Sequence, residues 1–102
     1  MPDTPPPPRY VVFHSPGPAW QPGVTFREQL GVAEHVTHYR RLFEHGQLEL
    51  GGPFLMNDVG GMMVTKRGVT RDEIEAIAAA DPAVQSGLLR YEIRPWHTGF
   101  EA

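Results

Sequence analysis

The groups in this chain able to move a proton near neutral pH are its five histidines, and one of them stands apart by its position. Within Ala33–Gly52, AEHVTHYRRLFEHGQLELGG, a helix turns by about 100° per residue. Val32, Val36, Tyr39 and Phe43 then share one stripe, expected to face the core, while Glu34, His38, Arg41 and His45 occupy the opposite, solvated side. His35 falls between the two, roughly 60° from the stripe centre, beside Leu42. An imidazole at such a seam can titrate and still be held in place.

A carboxylate that could work with it is Asp81. The run Ala78-Ala79-Ala80-Asp81-Pro82 sets it at the C-terminal end of a second helix, where backbone carbonyls present partial negative charge. A carboxylate there is disfavoured by about 0.3–1 kcal/mol, and its pKa is expected to rise. Asp-Pro is also a common turn former whose side chain serves nearby backbone groups. Within hydrogen-bond reach of His35, Asp81 would fix the imidazole tautomer and leave the ring to exchange protons with a substrate. His14, at a strand end beside a Pro/Gly loop, is a candidate third polar group of the same pocket. His38 is the alternative working residue, ranked lower because its face is solvated.

Other chemistries lack their residues. The chain has no cysteine, which removes disulfides, thiolate catalysis and zinc–sulfur sites. His35 with His38, or His38 with His45, could direct two imidazoles at one ion, but no HExxH pattern or third ligand accompanies them, so no metal is expected. GxxxxGK and GxSxG do not occur. The formal charge of −3, with only the Arg40-Arg41 pair as a basic patch, argues against nucleic acid. No apolar run reaches the roughly 18 residues needed to cross a bilayer, and Met1–Arg9 lacks a signal-peptide profile. The cytoplasm is the expected location.

The elements that would position these groups follow from pattern. MPDTPPPPR reads as a disordered Pro-rich tail over residues 1–9, with docking to a proline-reading partner as the alternative. YVVFH, Tyr10–His14, is a first strand with Tyr10, Val12 and His14 on one face and Val11 with Phe13 on the other. Ser15–Thr25, with three prolines and two glycines, is a loop carrying Trp20 as a lid over the pocket or as an anchor. Thr25 and Glu28 have capping-box spacing and place the first helix start near Thr25–Glu28. Leu48 and Leu50 alternate as a second strand that Gly51-Gly52-Pro53 bends or ends. Asn57–Gly61 turns into a third strand, Met62–Lys66. Val69–Ala80 is the second helix, with Thr70 and Glu73 as its capping box, a buried side of Ile74, Ile77 and Ala78, and Pro82 as its stop. Gly87–Pro95 closes the domain as a fourth strand.

That order predicts a ferredoxin-like βαββαβ fold of the α+β class, a four-stranded antiparallel sheet with both helices on one face. The domain spans residues 10–97, followed by a short tail, 98–102. Its second sheet face needs a cover, which a homodimer stacking sheet on sheet would supply.

The ordered set of His35, Gly46, Leu48, Gly52-Pro53, Gly60-Gly61, Asp81-Pro82, Gly87-Leu88 and a strand ending at Pro95 resembles the YciI-like (YCII-related) family over roughly Tyr10–Trp96. The resemblance implies the ferredoxin-like fold, a homodimer of the dimeric α/β-barrel type, and a cleft with a His–Asp pair at the positions of His35 and Asp81. One characterised branch of that family eliminates chloride from a chlorinated hydroxyhydroquinone, chemistry that suits an acid–base pair without metal or redox cofactor. Where many relatives carry arginine three residues before the histidine, this chain has Val32, and its Ser15–Thr25 loop is longer.

Two functions are therefore expected. The first is a small cofactor-independent lyase, isomerase or dehydrohalogenase acting on a small, cyclic or aromatic molecule, with His35 and Asp81 as the catalytic pair. His14, Trp20, Gly52 and Pro53 would line its pocket. The alternative is a non-catalytic small-molecule-binding or accessory module whose pocket histidine is structural.

Overall fold

A computed structural model describes residues 6–55 and 60–102 of the chain. Four strands, β1 (Arg9–Pro16), β2 (Leu48–Pro53), β3 (Gly61–Thr65) and β4 (Leu89–Trp96), alternate with helices α1 (Val32–Glu44), α2 (Arg71–Ala79) and a short α3 (Pro82–Gln85). The strands form one antiparallel sheet in the order β2-β3-β1-β4. This is the expected ferredoxin-like α+β arrangement. The turn expected over Asn57–Gly61 lies, apart from its two glycines, outside the described residues.

The core follows from strand alternation. Val12 packs with Tyr39 and Leu42 of α1, Leu48 of β2, and Ile74 and Ala78 of α2, and Met63 and Ile93 join from the neighbouring strands. Each fully buried aliphatic side chain of this kind stabilises the fold by about 1.5–3 kcal/mol. Alternation puts Val11, Phe13, Met62 and Val64 on the opposite sheet face, where Arg94 lies over the Phe13 ring at 5.6 Å. Leu50, paired with Val64, stays 57% exposed there. No helix among the described residues is long and apolar enough to cross a membrane.

Several local expectations are corrected. α1 does not begin at Thr25. The Thr25 hydroxyl donates to the Glu28 carboxylate at 2.9 Å over a single 3-10 turn, Phe26–Glu28, and Gly31 at φ 99° sets the true start of the helix. A left-handed backbone suits glycine and breaks the run before Val32. β2 is not ended by its glycines but runs through Pro53, which an edge strand accommodates because its outward groups need no ladder partner. The glycines permit close approach of the strands: a Cβ on Gly61 would meet the Gly52 carbonyl oxygen at 2.4 Å. α2 carries its capping box, with Thr70 Oγ1 accepting from Glu73 N and Glu73 Oε1 accepting from Thr70 N. At the two ends of the chain, the Arg67 guanidinium donates to the Pro7 carbonyl at 3.1 Å. Glu101 pairs with Arg67 and, at 3.3 Å, with Arg9.

Candidate active site

The face of α1 that meets the sheet is rotated from the simple amphipathic reading. Val32, His35, Tyr39 and Leu42 are buried, whereas Val36 and Phe43 are 39% and 57% exposed. That is a turn of about 50° about the helix axis. His35 is therefore not a seam residue but a core one, 3% exposed. A polar ring accepts this position only with a partner, and the partner is Asp81, 0% exposed, whose Oδ2 lies 2.6 Å from His35 Nδ1.

Asp81 is held by local chain geometry. It does follow α2, but its side chain works as the N-cap of α3, with Oδ1 accepting the Ala83 N–H at 2.9 Å and Pro82 at the first helical position. Proline there gives up a donor that a helix start leaves unpaired in any case. Ala78 and Ala83 on either side are fully buried, and small side chains at this junction let the carboxylate reach α1. Its pKa consequently runs opposite to the expectation from the α2 terminus. Burial pushes it up, but the hydrogen bond and charge of His35, the Ala83 N–H and His14 together hold it below the ordinary aspartate value.

A carboxylate only accepts, so the hydrogen on His35 sits at Nδ1 and the lone pair of the neutral ring is left at Nε2. Nε2 has no partner among the described residues. His35 forms part of the wall of a cavity of about 460 Å³ between α1 and the β2–β3 edge.

His14 stands beside the pair. Its ring meets those of His35 and Tyr39 edge-on, at 4.8 and 5.4 Å between centroids. Its Nε2 lies 3.4 Å from the Tyr39 hydroxyl and 3.8 Å from Asp81 Oδ2, the latter beyond hydrogen-bond reach. Burial, then His35, holds the His14 pKa down at about 4 against the pull of Asp81, so the ring is neutral at physiological pH and the His14–Asp81 approach is not an ion pair. Burial, then the Asp81 charge, keeps the Tyr39 phenol well above its ordinary value and protonated.

His14, His35 and Asp81 bring potential ligand atoms within 4.8 Å of one another. Two ligands of one tetrahedral ion with bonds near 2.0–2.2 Å stand roughly 3.3 Å apart, farther than the 2.6 Å between His35 Nδ1 and Asp81 Oδ2. The cluster as folded is a hydrogen-bonded set, and an ion held by those two atoms would have to part them.

The remaining sequence candidates fall out as follows. Gly52 and Pro53 line the cavity with His14 and His35. Trp20 does not: it stacks on Phe26 at 6.4 Å, and Phe26 in turn meets His35 edge-on at 6.2 Å. The loop bearing Trp20 is pinned by Gly17 N–H to the Leu88 carbonyl and by the buried Gln29 amide, which donates to the Gln21 and Val24 carbonyls. His38 is half-buried, not solvated, and its Nε2 donates to the Ile77 carbonyl at 2.7 Å, away from the pair. Sequence reasoning passed over Tyr39, Phe26 and Arg40 as pocket residues. Tyr39 follows His35 by four residues and so shares its helix face, a signal that assigning it to the hydrophobic stripe concealed.

The described architecture has counterparts among known proteins. Residues 9–97 match the YCII-related domain, and the chain belongs to that family. None of the curated proteins matches it. Among solved structures it is similar to 5-chloro-2-hydroxyhydroquinone dehydrochlorinase (TftG) from Burkholderia phenoliruptrix AC1100, in complex with 2,5-dihydroxybenzoquinone. That likeness is at 18% identity, covers 89% of this chain and 95% of that one, and has a TM-score of 0.66. At this identity the likeness speaks for the fold.

Proposed function

We propose that the protein is a small acid–base enzyme of lyase, isomerase or dehydrohalogenase type, acting on a small cyclic, hydroxylated molecule. His35 is its proton-transfer group and Asp81 the positioning residue. The observation that carries this reading is the buried 2.6 Å bond between Asp81 and His35 Nδ1 at the wall of a cavity of about 460 Å³, a volume suited to one small ring compound. His35 Nε2 takes a proton from the substrate, the electron pair of the broken bond forms a new double bond, and a leaving group departs with its own pair. The carboxylate of Asp81 stabilises the imidazolium until the proton is given up to water. The step is redox-neutral, and the reading calls for no cofactor. The similar solved structure, a dehydrochlorinase with a dihydroxybenzoquinone bound, favours a hydroxylated ring with a halide leaving group. We further take the working form to be a cytoplasmic homodimer stacked through the face of Phe13, Met62 and Leu50.

Chloride release from chlorinated hydroxyhydroquinones, followed with an ion-selective electrode and by ultraviolet absorbance, tests the reaction. Turnover should vanish in His35→Ala and fall steeply in Asp81→Asn, with far-UV circular dichroism unchanged. Wild-type rates in both variants would defeat the proposal. Compounds that bind and are never converted would favour the non-catalytic binding module instead.

A further inference from the structure

The cavity wall holds a charge that proton transfer does not use. Arg40 stands one turn beyond Val36 on α1 and three residues before Phe43, and this exposed residue lines the cavity together with those two apolar side chains. Arg9, Arg67, Arg71 and Arg94 pair with Glu49, Glu75, Glu92 or Glu101, whereas Arg40, like Arg27, Arg41 and Arg90, has no ion pair among the described residues, and of these four it is the one that lines the cavity. Glu49, the other charged residue on the lining, lies 3.9 Å from Arg9. In a chain of net charge −3, the cavity thus presents one uncommitted cation against apolar walls. Arg40 is itself exposed, so its hold on an incoming anion comes from a direct charge-assisted hydrogen bond rather than from exclusion of water. His35 and Arg40 both line the cavity, separated along α1 by a rise of about 7.5 Å and a turn of about 140°, so a ligand touching both reaches across the cavity from its inner wall to its rim.

We propose that this cavity selects a small planar organic oxyanion, with Arg40 holding the carboxylate or phenolate oxygen of a ring compound whose other end lies against His35 Nε2. Val36 and Phe43 cover the ring. The orientation rests on the proton-transfer reading above; the preference for an anion does not.

A matched pair of probes separates the two: 2,5-dihydroxybenzoate and its neutral amide, 2,5-dihydroxybenzamide, titrated by calorimetry at fixed ionic strength. The acid should bind the wild type about tenfold more tightly than the amide, the discrimination expected of one charge-assisted hydrogen bond. Arg40→Met, which keeps the aliphatic stem, should erase that advantage while leaving amide binding within about threefold, and Arg40→Lys should restore part of it. His35→Ala should keep the preference for the acid even where turnover is lost, so failure of the proton-transfer reading leaves this result intact. Equal affinity for the two probes, no binding of either, or an undiminished preference in Arg40→Met would overturn the proposal.

Discussion

Acidification should destabilise this fold chiefly through His14. The ring titrates at about 4 in the folded chain, against 6.5 for an ordinary histidine. Between those values the unfolded chain takes up a proton that the native chain refuses, so stability falls as pH falls, by up to about 1.4 kcal/mol per unit. Across a gap of about 2.5 units this amounts to ~3 kcal/mol, with little discount for solvent because His14 is only 3% exposed. Asp81 acts with the same sign further down. Its native pKa is depressed, so its contribution is present above the unfolded value and is lost as pH falls through the folded one. Urea unfolding of the wild type and His14→Asn, followed by tryptophan fluorescence in steps from neutrality to about pH 4, measures the effect. The gap in unfolding free energy between the two proteins should shift by ~3 kcal/mol in favour of the variant on acidification, because His45 and His97, which do not act on His14, cancel in the comparison. A wild-type curve that is flat over this window, or the same slope in His14→Asn, would refute the reasoning.

Other perturbations are as specific. If the acid–base reading is right, His35→Ala and Asp81→Asn should each lower kcat by about 10²–10⁴-fold, measured by chloride release at saturating substrate. Gly60→Ala should cost about 3 kcal/mol or more in urea unfolding, because Gly60 has φ 76° and a Cβ there would meet the His14 carbonyl oxygen at 1.9 Å. Gly52→Ala, where a Cβ meets nothing within 4 Å, should cost under about 1 kcal/mol. Thr70→Ala removes the α2 cap and should lower stability by about 1 kcal/mol, seen as a fall in Tm of roughly 4–8 °C.

The strand and helix order could be read in the sequence because each element announces itself locally: YVVFH as a buried strand, Thr70 with Glu73 as a cap, Leu89, Tyr91 and Ile93 in alternation. What was not legible depends on contacts between distant segments. A helical projection counts His35 as polar and leaves it at the seam between core and solvent, and only the arrival of Asp81 from 46 residues away makes its full burial favourable, rotating the helix and bringing Val36, Arg40 and Phe43 to the cavity. Asp81 misled for a related reason. The end of α2 predicts a raised pKa, but the chain restarts at once as α3, and a side chain reading as a poor C-terminal residue becomes a good N-cap. Trp20 shows the limit of composition: a Pro/Gly loop says that an aromatic will be presented, not whether it meets the pocket or, as here, Phe26.

The most direct measurement is the tautomer of His35, read from long-range proton–nitrogen correlations of the imidazole at mildly alkaline pH. Our account has the hydrogen on Nδ1 in the wild type. In Asp81→Asn, the Ala83 N–H keeps the amide oxygen, the NH₂ turns to His35 Nδ1, and the hydrogen moves to Nε2, removing the lone pair from the cavity. Hydrogen on Nε2 in the wild type, or one tautomer in both proteins, would contradict it.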